Sequence, residues 1–150
     1  MLGLQKSNMF LLKHFDGTFP VNISKMMYYE GIIFNNSENL NEIIAVINPG
    51  IFSIKLSNSI PKNIERFVIS YCIGSLFIEN KEKTITIKDL SYSPTDNFHN
   101  ECILFAMNLV MPETKFKMYY KNVTKNPVTL SEKFDVSTYL IKSRIKQLNL

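Results

Sequence analysis

A chain of 150 residues, 45% hydrophobic and 20% charged, has the composition of one ordinary globular domain with room for a sizeable core. Its 17 Lys and Arg against 13 Asp and Glu leave a net charge of +4, a mild excess that reads as solvated surface and does not by itself argue for a nucleic-acid partner. No internal repeat, heptad array or low-complexity tract is present.

In chain order, residues 1–17 give a weak helical pattern that ends at the Asp16-Gly17 turn. The apolar patch Met9-Phe10-Leu11-Leu12 is broken by Lys13 and His14 and is too short for a secretory signal core, so a cytoplasmic protein is expected. After Pro20-Val21 comes a short amphipathic helix over 24–30, closed by Gly31. Ile32-Ile33-Phe34 reads as a strand, 35–39 as a polar turn and 42–47 as a second strand. Asn48-Pro49-Gly50 is a turn, and 51–56 alternates Phe52, Ile54 and Leu56 against Ile51, Ser53 and Lys55. These segments predict a three-stranded antiparallel meander.

Residues 64–78 carry apolar side chains around nearly the whole helical circumference, which predicts a buried central helix. Lys62, Glu65, Arg66 and Glu79 bound it too closely for a membrane span, so no membrane partner is expected. Pro61 suits its first turn, with Ser59 as the expected cap. A short strand over 84–87 and a polar loop over 89–100 follow, and then a second strongly apolar helix from Glu101 to the Met111-Pro112 pair. Cys72 and Cys102 both lie in apolar helical context, which predicts buried free thiols. Residues 115–125 interleave lysines with Phe116, Tyr119 and Tyr120, an amphipathic segment with its aromatics turned inward. The tail reads helix, tight turn, helix. Asp135 is expected in the left-handed region, Ser137 caps the last helix, and Ile141, Ile145 and Leu148 line its inner face.

Arg66-Phe67, Gly74 and Leu76-Phe77-Ile78 stand where the ImmA/IrrE metallopeptidase pattern R-F-x-x-A-H-E-L-G-H-x-L-L-H places them. Glu101, Phe105, Ala106, Leu109, Met111 and Pro112 match the second pattern, E-A-N-x-F-A-A-x-L-L-M-P, and Phe134-Asp135-Val136-Ser137 matches a usual F-G-V-S turn. Over residues 18–150 the chain thus resembles the ImmA/IrrE family with its H-E-x-x-H letters replaced by Tyr71, Cys72, Ile73, Gly74 and Ser75. The resemblance implies an α+β, zincin-like fold: a small antiparallel sheet packed on the central helix, with residues 1–126 as the peptidase-like domain and 127–150 as a helix-turn-helix-like section packed on it.

A catalytic zinc needs about three protein ligands, commonly two imidazoles four residues apart and a carboxylate. Tyr71 and Ser75 have that spacing, but phenol and hydroxyl are poor ligands, and Cys72 stands where the family has its general-base Glu. Only Glu101, the family's third ligand, survives. The two histidines, His14 and His99, do not restore the set. His99, two residues before Glu101, points about 200° away from it on a helix. A Cys72 nucleophile would need a base within reach, and none is placed to serve.

The resemblance therefore implies a catalytically silent pseudo-metallopeptidase without metal or other cofactor. It would regulate by binding a protein such as a helix-turn-helix repressor of a phage or mobile element. The degenerate positions Tyr71, Cys72, Ser75 and Glu101 mark the old site, and Tyr71, Ser75, Tyr92, His99 and Glu101 are the expected partner groove. Glu101 is expected to reach solvent or to accept from Tyr71 or Ser75. Two other readings stand beside this one. In the first, the last helix contacts DNA through Thr138, Tyr139, Lys142 and Arg144. In the second, the chain is a divergent active metallopeptidase.

Overall fold

A computed structural model of the chain describes residues 1–38, 40–79 and 82–150. The elements are α1 (Leu2–His14), α2 (Ile23–Tyr29), β1 (Ile33–Ser37), β2 (Ala45–Asn48), a 3-10 turn (Pro49–Ile51), β3 (Ser53–Ser57), α3 (Lys62–Phe77), β4 (Ile85–Ile87), α4 (Asn97–Val110), α5 (Glu113–Asn122), α6 (Pro127–Phe134) and α7 (Thr138–Gln147). The fold is α+β, with a four-stranded sheet on one side of α3 and helices on the others.

The sheet departs from the expected meander. Its order is β1-β3-β2-β4, and β1 runs parallel to β3, while β2 pairs antiparallel with both β3 and β4. Burial explains the order. Ala45 and Ile47 of β2 and Ile54 and Leu56 of β3 have almost no exposure, so these two strands take the centre. The polar Asn35, Asn36 and Ser37 of β1 belong on an edge, where one side faces water. The β3 alternation holds, but the strand starts at Ser53. Pro49–Ile51 closes a 3-10 turn, and Phe52 takes a left-handed conformation with φ +53°.

Helix α3 begins after Pro61, whose backbone is extended and caps nothing with its side chain. The expected cap, Ser59, instead shares a hydroxyl hydrogen bond with Ser57 at 2.7 Å. Phe67 through Ser75 form an unbroken buried run, as the all-round apolar pattern requires. Helix α4 packs along α3, and Gly74 sets their spacing: a Cβ there would sit 2.9 Å from Phe105 Cδ1. Helix α4 also starts earlier than its apolar pattern, because Asp96 accepts from His99 N at 2.9 Å and caps it.

The tail behaves as read from its turn residues. Asp135 is left-handed at φ +52°, Ser137 Oγ accepts from Leu140 N at 3.3 Å, and Ile141 is fully buried. Phe134 packs against Phe19, Phe116 and Tyr119 at ring distances of 4.9, 5.2 and 5.7 Å. At the other end, Lys13 and His14 hydrogen-bond to Glu30 and tie α1 to α2. Burial by itself would raise the Glu30 carboxyl, and these two partners outweigh it to leave the carboxyl below its usual range.

A buried polar network joins the two ends of the chain. Asn108 on α4 donates to Ser7 Oγ at 3.0 Å and Asn8 Oδ1 at 2.8 Å, and its Oδ1 accepts from Glu113 N and from Arg144 Nη2 at 2.7 Å. Arg144 also donates to the Met111 carbonyl at 2.8 Å and to Gln147, while its Nε has no hydrogen-bond partner among the described residues. Burial lowers the guanidinium to about 10, against the favourable pull of Glu113, so it remains charged at neutral pH.

Two substitutions test this packing. Gly74→Ala should destabilise by about 1–3 kcal/mol through overpacking against Phe105. Asn108→Ala should cost about 2–3 kcal/mol by stranding its buried partners. Both are read from denaturant unfolding, and a loss under about 0.5 kcal/mol in either would contradict the contact it removes.

Candidate functional site

Of the four degenerate positions, Tyr71, Cys72 and Ser75 lie in the buried run of α3 and Glu101 lies on α4. Tyr71, 1% exposed, has its hydroxyl 2.7 Å from His99 Nδ1. His99 Nε2 lies 2.7 Å from the Ser91 carbonyl, which can only accept. The proton of a neutral His99 therefore resides on Nε2, and Tyr71 donates to Nδ1. Burial first, and the nearby Cys102, Cys72 and Asp96 second, push the Tyr71 phenol well above its usual range. Burial likewise pushes the Cys72 thiol far up, with Cys102 adding to the effect, so Cys72 is a thiol at neutral pH. Ser75, fully buried, donates to the Cys72 carbonyl one turn back at 2.7 Å.

Glu101 meets neither Tyr71 nor Ser75 in a hydrogen bond; it faces α1. Its Oε2 accepts from Gly3 N at 2.5 Å, and its Oε1 lies 3.4 Å from the Met1 ammonium. Helix α1 has no side-chain cap of its own, so a carboxylate from α4 supplies one, placed where the helix dipole favours negative charge. Gly3 permits the approach, since a Cβ there would collide with the Glu101 carbonyl. His99 and Glu101 thus point to different neighbours, as their two-residue separation requires. Among the described residues, no three His, Cys, Asp or Glu side chains gather where they could share a metal ion.

The loop between β4 and α4 is built by the first turn of α4. Asn100 brackets Ser93, accepting from its N–H at 3.1 Å and donating to its carbonyl at 2.5 Å, while Asp96 N donates to Ser93 Oγ. Asp89 Oδ1 accepts from both the N–H and the hydroxyl of Ser91. The same two Ser91 contacts hold the Asp89 carboxyl below its usual range.

Fixed in this way, the loop forms one lip of an open groove of about 500 Å3. Its apolar lining is Ile64 and Phe67 of α3, Leu90 of the loop, Ile103 and Met107 of α4 and Leu140 of α7. Tyr92 and Tyr139, 74% and 75% exposed, stand at its rim. Of the expected partner groove, then, Tyr92 borders open space and His99 supports it from behind. Tyr71 and Ser75 are walled in, and Glu101 is engaged by α1. The lining residues escaped the sequence reading. Ile64 with Phe67 and Ile103 with Met107 have helical spacing, but nothing in that spacing marks a face left uncovered.

On α7, Thr138, Tyr139 and Lys142 are exposed along one side, whereas Arg144 is fully buried. Arg144 is therefore withdrawn from any nucleic-acid face: its inward position one turn from Ile141 and its bonds to Asn108 and Met111 hold it inside. Residues 113–150 hold eight of the 17 Lys and Arg and three of the 13 acids, so the chain's positive excess lies in its last three helices. Among the described residues, no helix is long and apolar enough to cross a membrane.

Glu101→Ala should remove the cap of α1 at a cost of about 0.5–2 kcal/mol. Hydrogen exchange should then speed up in the first turn of α1 and leave α3 unchanged; equal protection of that turn in both proteins would contradict the capping role. No family model matches the chain, and no curated protein matches it either.

Proposed function

We propose that this chain is a catalytically silent relative of the ImmA/IrrE peptidases and acts in the cytoplasm as a protein-binding regulator. Its partner in this reading is a helix-turn-helix repressor of a phage or mobile element, or a related regulator, held without being cut. The observation that carries the reading is an open, largely apolar groove whose lip is bonded through His99 to Tyr71, in a chain whose old ligand positions already have their polar groups satisfied. Tyr71 is bonded to His99, Ser75 to its own helix and Glu101 to α1, so none of the three presents an unused ligand. The groove, by contrast, presents the exposed rings of Tyr92 and Tyr139 above the half-buried Ile64, Leu90 and Ile103, side chains of the kind that anchor partners.

A second reading, a nucleic-acid contact, draws on the positive excess of residues 113–150 and on the exposed Thr138, Tyr139 and Lys142.

The test combines three measurements on protein purified without chelator. Metal content should be far below one equivalent. Candidate repressors from the native host should co-elute with the chain and stay intact on prolonged incubation. Duplex DNA should bind weakly even at about 50 mM salt. Stoichiometric zinc lost on Glu101→Ala, or cleavage of the repressor, would overturn the reading in favour of an enzyme. Tight duplex binding that falls by about three decades between 50 and 200 mM salt would favour the nucleic-acid reading.

A further inference from the structure

We propose that the groove between α3, α4 and α7 docks an amphipathic helix of the partner protein, one that carries a Lys or Arg beside its apolar face. The inference rests on the binding-regulator reading above and adds which surface is used and what it selects.

The shape argues for a helix. The lining side chains come from three helices and the 89–92 loop, and among the described residues no strand lines the groove. An extended peptide would find no sheet edge there to pair with, whereas a helix brings its own backbone hydrogen bonds and offers only side chains. The floor of Ile64, Phe67, Ile103, Met107 and Leu140 suits aliphatic anchors, and the volume is in the range of sites that enclose several side chains. Tyr92 and Tyr139 each present a ring to the anchors and a hydroxyl to water, which is what the rim of such a contact requires.

The sign of the flanking charge follows from Asp89. Among the described residues lining the groove, it is the one that carries a charge. Its carboxylate is fixed by the Ser91 N–H and hydroxyl, so it is both ionised and held in place. The chain as a whole is positive at +4, and long-range attraction would draw acidic partners. A preference for a basic helix would therefore have to come from the local carboxylate, against the global field. That opposition makes the proposal separable from non-specific binding.

The probes are two fluorescent synthetic peptides of about 16 residues, helical and equal in length, with leucines on one face and either Lys or Glu flanking it. Anisotropy titrations with the full chain should give saturable binding of the Lys peptide and about tenfold weaker binding of its Glu counterpart. Asp89→Asn keeps an oxygen for Ser91 to donate to, and should shrink the discrimination below about twofold. The double variant Tyr92→Ala, Tyr139→Ala alters exposed rings only and should weaken both peptides by about tenfold or more. Equal affinity for the two peptides, no saturable binding, or indifference to the tyrosine pair would overturn the proposal. If the tyrosine variant still captured the native partner undiminished, the docking site would fall while the regulator reading stood. If the unaltered chain held no partner at all, both would fall.

Discussion

The structure depends on what happens at Asn108. One fully buried amide receives a guanidinium from α7 and a backbone N–H from α5, and donates to Ser7 and Asn8 on α1. Segments a hundred residues or more apart in sequence are thereby fixed to the same side chain of α4. A buried polar network of this kind is demanding, because each member left without a partner costs on the order of 1–3 kcal/mol. It specifies one arrangement of helices where apolar packing alone would tolerate several. It also explains why Arg144, a residue type usually found in water, is fully enclosed: its charge is shared among Asn108, the Met111 carbonyl and Gln147.

Around this anchor, α3 and α4 approach as closely as Gly74 and Phe105 allow, and that closeness shapes the degenerate site. Polar groups enclosed between two tightly packed helices must find partners within a turn or across a single gap. Each position solves this differently. Tyr71 reaches across to His99, Ser75 turns back to its own helix, and Glu101, nearer the surface, is met by the Gly3 amide of α1 and the Met1 ammonium. The result is an interior in which Tyr71 and Ser75 are both hydrogen-bonded and the buried Cys72 remains a thiol.

The same residues link the interior to the surface. His99 is bonded on one side to the buried phenol and on the other to the Ser91 carbonyl, so the loop that forms the groove's lip is fixed by a group rooted in the core. Asn100 and Asp96 add further bonds to Ser93. A lip held at so many points is preorganised, and a partner bound against it need not supply the free energy of ordering it.

By itself the sequence determined the elements. Periodicity marked α3 and α4, the Asp135-Val136-Ser137 run marked the turn and cap before α7, and alternation marked β3, because these features are set by residues a few positions apart. The tertiary structure alone decided how the elements meet. Strand order followed from which strands the helices bury, so β3 rather than β2 came to lie beside the edge strand β1, and parallel to it. Glu101 found α1 rather than Tyr71 or Ser75, and Arg144 turned inward to Asn108 and the Met111 carbonyl, because those partners lie on other helices, beyond the reach of local patterning. The groove is the clearest case: an uncovered face is defined by what does not pack against it, and no local spacing encodes that.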